Sequence, residues 1–380
     1  MEDPRIIRVE WARLEGRRPR GAGSNSRLSD HGVSVNVPIA CVTAEDGSTG
    51  FGACFATRHQ LQRLLGIRLQ EVFSRERGVA DPWLPCEYPL WDLVAKREEV
   101  PVYELAAAVV GAAVPNPLPP VPCYDTSLYF DDLHLPSDDR ACALLAAEAR
   151  EGYERGHRAF KIKVGRGARH MPLEEGTRRD VAIVRAVRAA VGPEAKLMLD
   201  ANNGYNLNLA KRVLSETAAC DIFWIEEAFH EDPVLYRDLH EWLDREKLSV
   251  LIADGEGRAD PDLPEWARKG LVDVVQYDIF DHGLTRWLAT GSQLDAWGVR
   301  SAPHHYGTHY GNYAACHLAG AIRGFAYVEW DEASTPGLDT SSYVIGAGSV
   351  KAPDKPGFGL ELDGELFGKV VQAKGLNLSL

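Results

Sequence analysis

No stretch of the 380-residue sequence approaches the roughly 20 consecutive apolar residues that a membrane-spanning helix needs, so no membrane partner is expected. The first residues, MEDPRIIRVEWARLEG, lack the apolar centre of a secretion signal, and the expectation is a cytoplasmic protein. No C-x-x-C pair occurs. The seven cysteines (41, 54, 86, 123, 142, 220 and 316) are odd in number and scattered, which argues against a disulfide framework and a zinc knuckle and for buried free thiols. Basic charge is scarce. Lys+Arg total 42 against 55 Asp+Glu, a formal net charge of -13, so there is no concentrated basic face for nucleic acid. An anionic small molecule can be held only by a local cationic site or a bound metal. Two motifs are also missing. Without Gly-x-Gly-x-x-Gly after an early strand, a doubly wound dinucleotide fold is disfavoured. Without any H-x-H, so is a barrel metallohydrolase.

What is present is ordinary globular material, 45% hydrophobic and 26% charged, enough for a full core. Residues 6–14 and 33–43 are β-rich and predict an antiparallel sheet. RRPRGAGSNSRLSDHG (17–32) between them predicts a mobile lid loop. Helical spacing follows over 59–73, 89–96 and 102–110. The proline cluster VPNPLPPVPCYD (114–125) then marks a domain boundary.

Beyond it, apolar runs alternate with amphipathic helices such as the one carrying Val181, Val184, Val187 and Val191. The runs are 121–130, FKIKV (160–164), LMLD (197–200), IFWIE (222–226), VLIAD (250–254), VDVVQYD (272–278), VRSAP (299–303) and FAYVE (325–329). Eight such units predict an α/β protein with a (β/α)8 barrel over 121–339. An α+β capping domain is expected over 1–120, with 340–380 returning to it. The tail KPGFGLELDGELF is read as the returning strand.

Barrel chemistry sits at the C-terminal ends of the strands. Those ends read Lys161 and Lys163, Asp200, Glu226, Glu256, Asp278, His304 and Glu329, in steps of 37, 26, 30, 22, 26 and 25 residues after Lys163. Asp200, Glu226 and Glu256 come from adjacent strands. Three converging carboxylates repel unless a cation sits between them, and all-oxygen ligation suits Mg²⁺. Asp254 shares strand parity with Glu256 and is the second choice for the third ligand; Glu227, of opposite parity to Glu226, is expected outside the barrel interior. Lys161 and Lys163 share a face, and burial is expected to lower an amine's pKa until it can act as a base. Asp278 beside His304 would fix the imidazole tautomer and raise its basicity, with His305 the alternative base. Glu329, if protonated, could donate a hydrogen bond to a substrate carboxylate. Arg17, Asn202, His305 and Tyr306 are candidate substrate contacts.

The motifs KIK (161–163), DANNGY (200–205), WIEEAF (224–229), IADGEG (252–257), QYD (276–278), APH (302–304) and VEW (328–330) together resemble the mandelate racemase subgroup of the enolase superfamily. PLWDLVAKREEVPVYEL (89–105) and PGFGLELD (356–363) resemble the end of its capping domain and its C-terminal return. Ala228 stands where the family usually has proline. The resemblance implies Mg²⁺-dependent removal of the proton α to a carboxylate. Lys163 and His304 would be the two bases, and Lys161 and Glu329 would stabilise developing charge. It implies a small carboxylate substrate and a homo-oligomer. The preferred outcome is dehydration of an acid sugar to a 2-keto-3-deoxy acid, because the lid and the His/Tyr segment are polar. A racemase or epimerase is the alternative; a lactone cycloisomerase and an inactive binding protein rank lower.

Overall fold

The computed structural model describes residues 3–113 and 116–380. Met1 and Glu2, at the head of the N-terminal segment, and Val114 and Pro115, the first two residues of the proline cluster, lie outside the described residues. Among those described, no helix is long and apolar enough to cross a membrane, and all seven cysteines are unpaired.

The N-terminal sheet is antiparallel. Its strands are Ile6–Ala22, Gly32–Ala44 and Thr49–Ala53, with Leu376–Ser379 added beyond the first. Helix Glu87–Arg97 lies on it. The approach is close enough that a Cβ at Gly50 would stand 2.3 Å from the Leu93 backbone nitrogen. Buried Asp92 of that helix ties the sheet to the C-terminal segment, accepting from the backbone of Phe51 (2.9 Å) and of Phe358 (3.0 Å).

Three sequence expectations change here. The first strand runs on to Ala22, so Arg17, Arg18 and Arg20 belong to a strand and only the turn 23–31 behaves as a loop. The helix expected over 59–73 is split into Arg58–Leu64 and Leu69–Val72 at Gly66, whose φ of +80° no right-handed helix contains. The tail returns by another route. Glu361–Leu362 pairs with Leu338–Asp339, a helix Gly364–Lys374 follows, and only then does Leu376–Ser379 join the first strand.

The second unit is a ring of eight parallel strands: Val121–Leu128, Ala159–Lys163, Lys196–Asp200, Ile222–Glu226, Leu251–Asp254, Val274–Val275, Arg300–Ser301 and Val328–Trp330. The last pairs with the first, Glu329 opposite Tyr124, and a bridge from Ser301 to Phe325 joins the seventh to the segment entering the eighth. Helices cover the outside. Several begin at side-chain caps (Ser137, Asn206 and Asp232), which satisfy backbone donors that the first turn leaves free.

The barrel is plugged by Tyr124, Ala159, Met198, Trp224, Ala253, Val274 and Ala302, one interior residue from each of the first seven strand segments. Interior positions recur every two residues. The next layer toward the C-terminal ends is therefore Thr126, Lys161, Asp200, Glu226, Gly255, Gln276 and His304. Tyr327 packs against the plug, and Glu329, two residues on, belongs to the same layer. A polar layer resting on an apolar plug is the platform for the site.

Candidate active site

Asp200 and Glu226 reach the centre simply by strand parity. The third carboxylate arrives differently. On the fifth strand the inward position is Gly255, which has no side chain to offer. Its φ of +122° turns the chain so that Glu256, not a member of the inward series, enters the ring. Asp254 points outward, accepting from Tyr236 Oη at 2.6 Å and from the Gly255 amide at 2.7 Å. The shared parity of residues 254 and 256 was thus the wrong guide, because the strand ends between them. Asp200, Glu226 and Glu256 each offer a ligand oxygen within 4.8 Å of the others.

The two lysines sit among these carboxylates. Lys161 Nζ lies 2.8 Å from Glu226 Oε1, 2.9 Å from Glu329 Oε1 and 3.3 Å from Asp200 Oδ2, and Lys163 Nζ donates to Asp200. The expected lowering of the lysine pKa is reversed. Burial pulls both amines down, but the facing carboxylates, Glu226 and Glu329 for Lys161 and Asp200 for Lys163, raise both above their ordinary value. Only a charge that neutralises those carboxylates returns an amine to the range of a base. Burial, then repulsion from Asp200, pushes Glu226 up to about 8. Gln276 and Trp224, which open the QYD and WIEEAF motifs but were given no site role, steady Glu226 by donating to Oε2 at 2.9 and 3.2 Å. The inward parity of Gln276, two residues before Asp278, was the signal for it.

Glu329 departs from expectation. Although burial opposes ionisation, Lys161 and His304 hold its carboxyl below the usual range. Thr126 Oγ1 (2.6 Å), Lys161 (2.9 Å) and the His305 amide (3.0 Å) all point donors at it. It is an ionised acceptor and not a protonated donor.

His304 Nδ1 lies 3.0 Å from Asp278 Oδ2, and its Nε2 lies 3.1 Å from Glu256 Oε2. Asp278 is itself fixed by the amides of Phe280 and Asp281. His305 turns away. It is fully buried, with Nε2 2.8 Å from the Glu329 carbonyl, packed over Gly311, where any Cβ would strike the ring. His305 is thus neither the base nor a substrate contact. Arg17 is also displaced, since its side chain faces solvent; its neighbour Arg18, of opposite parity, turns inward and forks onto Asp331 at 2.9 and 2.8 Å.

A second ring of contacts surrounds the carboxylates. Asn202 Nδ2 donates to Glu227 (2.9 Å) and Glu256 (3.3 Å), leaving its Oδ1 buried and without a partner among the described residues. Glu227 also accepts from Asn203 (2.8 Å) and pairs with Arg27 of the turn 23–31 (3.3 Å). From the same turn Ser26 donates to the carbonyl of Asn202 (3.1 Å). The N-terminal turn is therefore bolted to the loop that follows the third barrel strand.

Above the ring lies a cavity of about 400 Å³, lined among others by Lys163, Asn202, Glu256, Asp278, His304 and Tyr306. Three carboxylate oxygens and an unpartnered buried amide oxygen are hard donors, and they fit a divalent ion of the Mg²⁺ class.

The sequence profile of the family described as enolase C-terminal domain-like matches residues 144–366. The chain belongs to that family. Within the enolase superfamily it falls in the mandelate racemase subgroup. The crystal structure of a galacturonate dehydratase from Geobacillus sp., complexed with D-galacturonate and 5-keto-4-deoxy-D-galacturonate, superposes with a TM-score of 0.94. Sequence identity is 47%, and 99% of each chain is covered. A mandelate racemase/muconate lactonizing protein from Geobacillus sp. Y412MC10, complexed with magnesium and tartrate, gives a TM-score of 0.95 at 47% identity, covering 100% of this chain and 98% of that one. The D-galactarolactone cycloisomerase of Agrobacterium fabrum is 30% identical, over 94% of this chain and 97% of its own.

Proposed function

We propose that this enolase-superfamily protein dehydrates an acid sugar with the help of Mg²⁺, held by Asp200, Glu226 and Glu256. The observation that carries the proposal is the pair of proton-transfer groups, Lys163 and His304, that line one cavity beside the carboxylate triad. They come from the second and seventh of the eight strands, three steps apart around the ring, and so approach a bound molecule from different sides. When bound, the metal would supply a positive charge that makes the α-proton of a carboxylate more acidic.

The residues divide the remaining work. Lys163 takes the α-proton, and its electron pair moves into the Cα–carboxylate unit. Collapse of that pair forms Cα=Cβ and breaks the β-carbon–oxygen bond. His304 delivers the proton with which the hydroxyl leaves as water. The enol then becomes a 2-keto-3-deoxy acid. Lys161 meets the charge that builds on the carboxylate, and Glu329 holds Lys161 in place. Asn202, beside the triad, offers its Oδ1 to the ion or to a substrate hydroxyl, and Tyr306 lines the same cavity. The bond changes match those in the Geobacillus enzyme's complex. In a uronate the carboxyl carbon is C6, so a 5-keto-4-deoxy product is the same α-keto, β-deoxy outcome.

The same two bases would also serve an epimerase, if no β-hydroxyl leaves. Purified protein with Mg²⁺ should be offered a panel of mono- and diacid sugars, with 2-keto products trapped as semicarbazones. Product that vanishes with EDTA and returns with Mg²⁺ supports dehydration. α-Proton exchange in D₂O without a keto product replaces it with the epimerase.

A further inference from the structure

The end of the cavity beyond Tyr129, whose ring lies 5.2 Å from Lys163 Nζ, has a distinctive charge balance. Arg18 reaches it from the first strand. Its Nε and one terminal nitrogen are spent on a bidentate pair with Asp331, and both side chains are almost wholly buried. The remaining terminal nitrogen, Nη1, has no partner among the described residues. The guanidinium lies 4.3 Å from the centre of the Tyr306 ring, and Tyr306 stacks on Tyr129 at 5.1 Å. His31 sets its edge against both tyrosines, with Nε2 buried and without a hydrogen-bond partner among the described residues.

Three of the cations that line the cavity are matched by buried carboxylates: Arg18 by Asp331, Lys163 by Asp200 and His304 by Asp278. Arg27, about half exposed, belongs to the turn 23–31 and lies 3.3 Å from Glu227, away from the Arg18–Asp331 pair. Burial, helped by the charges of Lys163 and Arg18, keeps His31 neutral. Asp281 adds a carboxylate at the mouth. A second carboxylate brought to the far end would be buried with no unmatched cation to meet it, and such a charge is costly. A neutral oxygen fits, because it can accept from Arg18 Nη1.

We infer that the Arg18–Asp331 pair makes this site select acid sugars with one carboxylate, such as uronates and aldonates, over those with two. The far end of the substrate, a hydroxymethyl, aldehyde or hemiacetal group, lies against Arg18, His31 and Tyr306. Asp331 is then a specificity-determining residue. It touches no substrate, and it excludes diacids by cancelling the buried arginine at the end where their second carboxylate would lie. The inference rests on the acid-sugar reading above.

Three probes of one configuration test it: D-galacturonate, D-galactonate and galactarate. With the Mg²⁺-loaded enzyme, kcat/KM for the better monoacid should exceed that for galactarate by at least about 100-fold. In Asp331→Asn, with folding checked by circular dichroism, the ratio should move toward galactarate by about tenfold or more. Comparable turnover of galactarate by the unaltered enzyme overturns the inference and leaves the dehydratase reading intact. So does an unchanged ratio in a folded Asp331→Asn. Failure of the reading itself shows differently, as no α-proton exchange in D₂O with any probe. Binding, followed as a thermal shift in Mg²⁺, then still decides the charge rule: protection by the monoacids alone supports it, and equal protection by galactarate overturns it.

Discussion

His304 and Asp278 are joined twice, by a backbone bridge between the ends of the sixth and seventh barrel strands and by a 3.0 Å contact from Nδ1 to Oδ2. The carboxylate thus dictates which imidazole nitrogen carries hydrogen, and leaves Nε2 facing the cavity for proton delivery. Asp278→Asn keeps the shape but offers an amide that can favour the wrong tautomer. Turnover of the acid sugar should fall by at least about 100-fold with little change in melting temperature. Full activity in this variant would dismiss His304 as the proton donor.

Lys163→Ala should abolish α-proton exchange while Mg²⁺ binding, measured by calorimetry, survives. Asp200→Asn should do the opposite in order of cause, weakening the metal first and activity as a consequence. Restoration of Asp200→Asn activity at high Mg²⁺ would support that sequence of events; Lys163→Ala should not respond to added metal.

Glu227 sits at φ +41°, a left-handed conformation that costs a side chain on the order of 1–3 kcal/mol. Its contacts with Asn202, Asn203 and Arg27 hold it there. Glu227→Gln should loosen Asn202 and the N-terminal turn together. Mg²⁺ affinity is expected to drop about tenfold and KM to rise, as for other supports of metal ligands. Unaltered affinity and KM would reduce Glu227 to a bystander.

Gly255→Ala places a side chain at φ +122°, where no L-residue is comfortable. Glu256 should swing from the ring, and Mg²⁺ binding should weaken even though no ligand has been replaced. A normal titration by Mg²⁺ would count against this route into the site.

Glu87 caps the helix Leu284–Trp297, accepting from the amides of Leu284 (2.8 Å) and Thr285 (2.9 Å) and tying the N-terminal unit to the barrel. Burial pushes its carboxyl up to about 7. Between its ordinary value and that point, the unfolded chain has given up the proton and the folded one has not. Stability from this group is therefore highest in acid and falls as pH rises through that window, by up to about 1.4 kcal/mol per pH unit. Glu87→Gln removes the titration. The stability difference between the two proteins should shift in favour of the variant from pH 4.5 to 7 in denaturant melts. A difference that stays constant over that range would show that Glu87 ionises normally.

Much of this protein follows from local pattern. A period of two within each apolar run, repeated after every amphipathic helix, is enough to specify eight parallel strands. It also sets which residues point inward at their ends, and so Lys161, Asp200, Glu226 and Glu329 stand in one layer. Those are consequences of strand geometry and of the chemistry of each side chain, both of which are written in the sequence. Where periodicity stops, tertiary structure decided. Glu256 enters through a glycine turn beyond the strand end. Arg18 replaces Arg17 because the first strand extends further than its Gly- and Ser-rich composition indicates, paired along its length with Gly32–Ala44. His305 is lost to the core because Gly311 leaves room for its ring. The charge states of Lys161, Lys163 and Glu329 were equally out of reach, since burial and facing charges pull in opposite directions and only the distances between groups from separate strands decide which prevails.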